Sequence, residues 1–295
     1  MTVWIDTPAW PHNGQVFAHM VSDVSLEELH VVAERAGVHP RGFDRDHYDV
    51  PERLHGACLE AGAVPAHTRR LVRALRESGL RLTKAQLKAD REARRSRLLG
   101  RWPLPASLAL GEELLDRWSE PRRRYHDARH LEHCLTALDL IGASEDVVRL
   151  AAWFHDAIYE GRGGGADEEA SARLAEDRLA GVLSPADVAE VARLVRLTAG
   201  HETVRGDRRG HQLCDADLAI LGETPERYAR YCRDVRVEYA EVPLADFRRG
   251  RLQVVQMLLY REHLYRTDIG LTLWARKARE NLAQEAARLS RPLPA

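Results

Sequence analysis

The feature that most constrains the fold is an apolar helical run that ends in a histidine–aspartate pair, His155 and Asp156. Apolar residues recur along it at the three- and four-residue spacing of a buried helix face: Val147, Leu150, Ala151, Phe154 and Ile158. Gly161 then begins a glycine-rich break, which places the pair near the carboxyl end of the helix. Adjacent helical side chains point about 100° apart, so the pair can flank a metal ion beside the helix. The negative end of the helix dipole also favours a cation there.

Further ionisable residues lie beside other predicted helices. Upstream are His126 and His130, and downstream is Asp217. Taken alone, the central pair is equally explained by a capping or salt-bridged aspartate, because an unpaired charge in an apolar run is costly. The ordered set supplies two imidazole nitrogens and two carboxylate oxygens: His130, His155, Asp156 and Asp217. These donors predict a divalent metal cofactor, with Mn, Fe, Zn, Ni, Co and Mg left open.

In these segments the chain resembles the HD superfamily of metal-dependent phosphohydrolases, over about residues 98–289. The resemblance is to a bacterial branch of predicted hydrolases and is carried by the segments 125–130, 154–159, 167–172 and 215–222. It implies an all-α helical bundle that hydrolyses a phosphomonoester or phosphodiester, with a nucleotide or another small phosphoester as substrate. An open coordination position would let water bind, lose a proton near neutral pH and attack phosphorus.

The resemblance also selects among the candidate ligands. His130 is preferred to His133 because it has the spacing of the family and because His126 lies one helical turn earlier on the same side. Asp217 is preferred to Asp215, since residues two apart on a helix do not share a face. Asp215 is then expected to contact a metal ligand rather than the metal itself, or to cap a helix.

Catalytic roles are assigned to His126, Asp156 and Glu168. In related cyclic-nucleotide phosphodiesterases the histidine at the position of His126 is the general acid, and the alternative is a solvent-bonded histidine at a helix start. Asp156 acts through the metal. Glu168 lies in a first helical turn, where the dipole alone explains an acid, but its family segment implies that it orients the attacking water. His201, after Gly200 at a helix end, is either an exposed capping residue or a ligand of a second metal ion.

Arginine side chains are the expected partners of a substrate phosphate. The candidates are Arg124, Arg236 and Arg251, and ordinary surface charge is the alternative for most of them. Arg124 is favoured because it lies two residues before His126. The glycine run 163–165 lacks the Gly-Lys-Ser/Thr ending of a phosphate loop, so we interpret it as a mobile segment.

Residues 1–80 differ in character from the rest and predict a small α/β module. Short strands are expected at 3–5, 15–18 and 63–66, and helices at 25–37, from about residue 51, and at 67–78. The module is rich in polar and aromatic groups: Trp10, His12, His19, His30, His47, Tyr48 and Asp49. Its segments 10–12 and 46–51 resemble a small bacterial domain family without a known function. A second metal or nucleotide site and a set of hydrogen-bonded structural histidines are both open interpretations.

The segment 81–101 is rich in lysine and arginine and predicts an exposed helix that links this module to an HD-type domain at 102–295. It is either a solvated linker or a basic surface for nucleic acid. The net charge of −1 over 295 residues gives no global attraction to nucleic acid. Four cysteines without CxxC spacing, and the lack of a signal-like start or a long apolar run, predict a cytoplasmic protein that does not bind membranes.

Two other functions are compatible with the same residues. An HD-type di-iron oxygenase would use additional ligands, such as His201, for a second iron. A metal-stabilised module that binds a ligand or a nucleic acid without turnover would use the basic linker. The sequence does not decide the oligomeric state.

Overall fold

The computed structural model describes residues 2–81 and 83–291, and the chain divides into two compact units, Met1–Arg91 and Glu92–Ala295. The first unit is a small module built on a sheet, and the second is helical. The sequence therefore predicted the class of both parts, a mainly α protein with an N-terminal α/β module. Within the described ranges, no helix has both the length and the apolar character that a membrane span requires.

Among its described residues, the first unit contains a six-stranded sheet and three complete α-helices. Its strands are β1 (Val3–Ile5), β2 (Trp10–His12), β3 (Gln15–Ser22), β4 (Phe43–Asp44), β5 (His47–Pro51) and β6 (Val64–Pro65). Its helices are α1 (Leu26–Arg35), α2 (His55–Glu60) and α3 (Thr68–Glu77). The strand order is β4-β5-β3-β1-β6, with β2 also paired to β3, and only the β1–β6 pair is parallel.

Alternation along β3 and β5 gives this sheet two different faces. Ala18, Met20 and Val50 are fully buried in the core that also contains Leu29 of α1. On the other face, Val21 packs with α3. His19, His47 and Asp49 project from the same face as Val21. The sequence missed β2, β4 and β5. The helix that it predicted from about residue 51 begins directly after β5, with the 3-10 turn Glu52–Leu54 that leads into α2.

The second unit consists of the helices that follow. They are α4 (Lys84–Leu99, which spans the boundary between the units), α5 (Leu108–Trp118), α6 (Ala128–Ile141), α7 (Asp146–Phe154), α8 (Ala166–Leu179), α9 (Pro185–Leu197), α10 (Arg208–Asp217), α11 (Pro225–Glu238), α12 (Leu244–Tyr260), α13 (Asp268–Leu273) and α14 (Ala275–Leu289). Local signals start several of them, since Ser184 and Thr224 each cap a helix that begins with proline.

Helix α7 lies at the centre of this unit. It contacts α6, α8, α9 and α10, and all of its residues except Asp146 and Arg149 are buried. A helix that is apolar on every side is stable only when other elements bury all of its faces. Trp118 of α5 fixes its end, because the indole Nε1 donates a hydrogen bond of 2.9 Å to the carbonyl of Trp153. The His155–Asp156 pair that follows is therefore held inside the bundle.

The predicted basic linker is helix α4, but its second half belongs to the helical unit. Leu98 is fully buried in the core of that unit. Arg94 and Arg97 both pair with Glu132 of α6, at 2.9 and 2.8 Å. These contacts correct the expectation of an exposed linker over the whole of 81–101, because apolar burial and ion pairing anchor its last turns.

Candidate metal centre

Four of the residues that the sequence selected as metal ligands meet at helix ends. His130 lies in the first turn of α6, His155 caps the carboxyl end of α7 and Asp156 follows it, while Asp217 is the last residue of α10. His130 and His155 are almost fully buried, and the two carboxylates are only slightly exposed. Helix packing, rather than nearness in sequence, brings these side chains together.

The donor atoms converge on a small volume. The Nε2 atoms of His130 and His155 are 3.1 Å apart. Asp217 Oδ1 is 3.0 Å from the Nε2 of His130 and 3.5 Å from that of His155. Asp156 Oδ2 is 3.2 Å from the Nε2 of His155. A first-row ion holds its nitrogen and oxygen ligands at about 2.0–2.2 Å, which places neighbouring donors about 3.0–3.5 Å apart.

The electrostatics of this cluster favour a cation. Burial would raise the pKa of both Asp156 and Asp217, but the positive charge of His155 lowers both. Burial also lowers the pKa of His130, whereas Asp156 and Asp217 raise that of His155 well above its ordinary value. A proton on His155 thus supplies positive charge between two carboxylates. A divalent ion would supply more positive charge than this proton. It would also accept a lone pair from each of the converging donor atoms, so the donor set fits a metal.

Second contacts hold the two imidazoles in place. His155 Nδ1 lies 2.8 Å from the carbonyl oxygen of Ala152, which leaves Nε2 directed at the cluster. The ring of His130 is flanked by Tyr125 and Trp118, with centroids 4.9 and 6.1 Å away. Among the described residues, Nδ1 of His130 is buried without a hydrogen-bond partner. Ring packing therefore positions His130.

His201 lies at the margin of the cluster. Its Nε2 is 2.8 Å from Asp217 Oδ2, while the other oxygen of that carboxylate faces His130. His201 has a positive φ of 52°, an uncommon conformation for a residue other than glycine. Arg261 donates to its carbonyl at 3.0 Å and fixes this turn. Asp217 therefore connects His201 to the other histidines.

His126 is held beside the cluster by a carboxylate that sequence reasoning did not identify. Its Nδ1 is 2.7 Å from Glu238 Oε2, and its ring stacks on Tyr159 with centroids 4.2 Å apart. The other oxygen of Glu238 accepts backbone N–H bonds from residues 124, 125 and 126 at 2.8–2.9 Å. Burial lowers the pKa of His126, but the hydrogen bond with Glu238 and the charge of Asp156 raise it overall. The protonated form of His126 therefore persists to a higher pH than that of an ordinary histidine.

Arg123 fixes the backbone of the same region. Its side chain is fully buried, and Nη1 donates to the carbonyls of Asp156 and His126 at 2.6 and 3.0 Å. Nη2 donates to the carbonyl of Ala157 at 3.1 Å. The burial of Arg123 against backbone carbonyls makes it the link between the loop before α6 and the turn after α7.

Glu168 lies in the first turn of α8 and is half-buried. Burial raises its pKa, and the negative charge of Asp156 raises it further. Its neighbour Glu169 is also half-buried, but it pairs with Arg173 and Arg196, at 2.8 and 2.6 Å. Of these two glutamates, Glu168 is therefore the one whose pKa is raised by the charge of Asp156.

The three candidate substrate arginines have different surroundings. Arg124 is exposed, and its guanidinium donates to the carbonyl of Pro121 at 2.8 Å. The side chain of Arg251 is 9% exposed and forms an ion pair with Glu285 at 2.9 Å. Arg236 is buried and donates to the carbonyl of Val242 at 3.1 Å. Internal partners thus occupy the guanidinium groups of Arg236 and Arg251, and substrate binding by the three arginines stays a prediction.

Asp215 and His133, which the sequence did not select as metal ligands, contact other elements. Asp215 is buried and accepts backbone N–H bonds from Arg266 and Thr267 at 3.0 and 2.7 Å. His133 pairs with Glu223 at 2.9 Å. Asp215 therefore supports the start of α13.

Comparison with known proteins identifies only the first unit. Residues 3–78 match the family described as Protein of unknown function (DUF4031). This agrees with the expected N-terminal domain of unknown function. No curated protein and no solved structure matches the chain.

Glu238 and Arg123 are residues of the candidate site that the sequence did not reveal. Glu238 lies 112 positions from His126, so no local pattern links the two. One signal was available: an acid in the last helical turn opposes the helix dipole and requires a compensating partner. The partner itself is defined only by packing.

Proposed function

We propose that the helical unit is a divalent-metal-dependent phosphohydrolase of the HD type, acting on a nucleotide or another small phosphoester. The observation that carries the proposal is the convergence of Nε2 of His130, Nε2 of His155 and an oxygen of Asp217, which all lie within 4.8 Å of one another. Asp156 adds a second carboxylate. This ordered donor set is the one that the resemblance to HD proteins implies.

His130, His155, Asp156 and Asp217 would hold the metal. When bound, the ion lowers the pKa of water and screens the charge of the phosphoryl group. The remaining chemistry is that of the side chains around the cluster. Glu168, whose raised pKa allows it to accept a proton closer to neutral pH, would orient the attacking water.

His126 would donate the proton to the leaving oxygen. Glu238 occupies its Nδ1, so Nε2 is the nitrogen left to face a substrate. The raised pKa keeps the imidazolium form available near neutral pH. Tyr159 covers one face of the ring and limits its rotation. Exposed Arg124 remains the candidate for a contact with the substrate phosphate.

Phosphate release from a panel of nucleotides and simple phosphoesters tests the proposal. Metal-free protein reloaded with Mn²⁺ is compared with an Asp156→Ala variant, which is expected to lose bound metal and at least about 100-fold in activity. Asp177→Ala, at an exposed position of α8, is the matched control and should behave as the parent. Full metal occupancy in Asp156→Ala would contradict the proposed ligand set.

His126→Gln separates proton transfer from metal binding. Its metal content should equal that of the parent protein, while kcat falls by about 10²–10⁴-fold. Loss of metal together with activity would instead show that His126 supports the metal centre.

The contact of His201 with Asp217 favours one alternative, a two-iron site that activates oxygen. Iron near two ions per chain with oxygen consumption, and no phosphate release from any substrate, would select that alternative. Salt-sensitive binding of nucleic acid without turnover would select the binding-module function instead.

A further inference from the structure

A second group of potential metal ligands lies on the polar face of the N-terminal sheet. His19 of β3 lies directly opposite Asp49 of β5 in the antiparallel register. His47 lies two residues before Asp49 on the same strand and therefore projects from the same face. One donor atom from each of the three residues lies within 4.8 Å of the others. The strand register by itself thus assembles two imidazoles and one carboxylate.

The donors face one another without forming good hydrogen bonds. Asp49 Oδ1 is 3.6 Å from Nε2 of His19 and 3.6 Å from Nε2 of His47. A hydrogen bond between such groups would be about 2.7–3.2 Å long. The separations are instead close to the spacing of about 3.0–3.5 Å between donors that share a first-row ion. Small side-chain rotations would close this difference.

Each histidine is also held from behind by a buried carboxylate. Nδ1 of His47 is 2.8 Å from Asp46, and Nδ1 of His19 is 3.4 Å from Asp6. Both aspartates are at most 5% exposed. A carboxylate on the far nitrogen fixes the tautomer and the ring direction of a metal-binding histidine. The same arrangement occurs twice in this module, and both times it leaves Nε2 directed at Asp49.

These supporting carboxylates are themselves fixed. Asp6 accepts hydrogen bonds from the backbone N–H of His19 at 2.6 Å and from Thr68 Oγ1 at 2.8 Å. Asp46 pairs with Arg81 at 2.7 Å. Four separate segments of the module therefore order the two imidazoles before any ligand binds.

We propose that the N-terminal unit binds a divalent first-row transition ion through Nε2 of His19, Nε2 of His47 and a carboxylate oxygen of Asp49. Two histidines and one carboxylate leave coordination positions free for another ligand. His19 and Asp49 lie on the wall of a cavity of about 500 Å³, which would admit a ligand to the ion.

The lining of this cavity indicates an anionic partner for the ion. It includes the basic side chains Arg41 and Arg53 and the indole of Trp10. The Trp10 ring lies 5.0 Å from that of His19 and is nearly half exposed, so a planar group could pack on it. The ligand class that fits is a small phosphate-bearing molecule, with its phosphate on the metal and the arginines.

Calorimetric titration of Co²⁺ into the metal-free full-length chain tests the ion site. Asp49→Asn should bind one Co²⁺ fewer per chain than the parent, and Asp44→Asn, at an exposed position of the same module, should bind the parental number. Equal binding by the parent and Asp49→Asn would overturn the proposal. Asp156→Ala, measured in parallel, reports the site of the helical unit, so failure of one site is distinguishable from failure of the other.

A measurement on the unmodified sequence guards against a variant that fails to fold. Addition of Zn²⁺ to uniformly ¹⁵N-labelled protein should shift the ring Nε2 resonances of His19 and His47 and leave that of the exposed His263 in place. Unchanged His19 and His47 resonances at saturating Zn²⁺ would show that these histidines serve only as a hydrogen-bonded network.

Inorganic phosphate tests the anionic ligand. Its addition to the Co²⁺-loaded Asp156→Ala protein should change the visible absorption of Co²⁺. Arg53→Gln should weaken this response, and Arg45→Gln, whose side chain pairs with Asp44 instead, should not. No response to phosphate in a protein that binds Co²⁺ would overturn the ligand class.

Discussion

Replacing Glu238 by glutamine removes the buried negative charge that orients His126 and keeps the shape of the side chain. The carboxylate is 3% exposed, accepts three backbone N–H bonds and lies 2.7 Å from His126. A hydrogen bond to a charged group contributes about 1.5–3 kcal/mol net, so Glu238→Gln should lower the free energy of unfolding by about 2–3 kcal/mol. The glutamine oxygen can still accept from the backbone, which keeps the loss below that of an alanine substitution.

The size of this loss should depend on pH. The pKa of His126 is raised by Glu238 and Asp156 against the effect of burial, so its stabilisation is complete below the ordinary value of 6.5 and disappears as the pH rises through the folded value. The pKa of Glu238 is lowered by His126, again against burial, so its stabilisation is complete above the ordinary 4.5 and disappears as the pH falls through the folded value. The difference in the free energy of unfolding between the parent and the variant should therefore be largest between pH 4.5 and 6.5.

Urea unfolding in EDTA, at about pH 5.5 and about pH 9.5, measures both effects without a contribution from bound metal. NMR titration of the ring protons of His126 gives a second readout, and its pKa should be lower in the variant. Glu226→Gln, at an exposed position of the same helix, should change the free energy of unfolding by no more than about 0.5 kcal/mol. Equal destabilisation by Glu238→Gln at both pH values, with an unchanged pKa of His126, would refute the reasoning.

Other changes test the packing and the metal centre. Gly222→Ala should unfold the helical unit at a temperature well below the parental one, because the new Cβ would lie 2.6 Å from Cα of Trp274; an unchanged melting temperature would contradict this packing. Arg251→Met should lower the free energy of unfolding by about 3–5 kcal/mol, because it leaves the buried Glu285 without its ion-pair partner. Adding Glu285→Met should recover much of this loss, as measured by urea unfolding. Chelation should lower the melting temperature of the parent, and added Mn²⁺ should restore it in proportion to the logarithm of its concentration.

Local chemistry allowed much of the secondary structure to be predicted from the sequence. Ser184 and Thr224 start helices because a side-chain oxygen satisfies an unpaired N–H at each start. Asn13 and Gly14 form the turn before the predicted strand β3, because both adopt positive φ, as their residue types favour. The β4–β5 turn was missed, since it places Arg45 at a φ of 61°, a conformation that arginine seldom adopts.

The sequence by itself determined which donors the candidate metal centre contains. Its apolar run defines α7 and places His155 and Asp156 at the helix end, and only a few other segments contain suitable partners. Tertiary structure decided the rest, because α7 is buried on all sides and its neighbours bring His130 and Asp217 to the same point. Glu238 acquires its role only through helix packing, since a buried carboxylate and its partner need to be close in space and can be far apart along the chain.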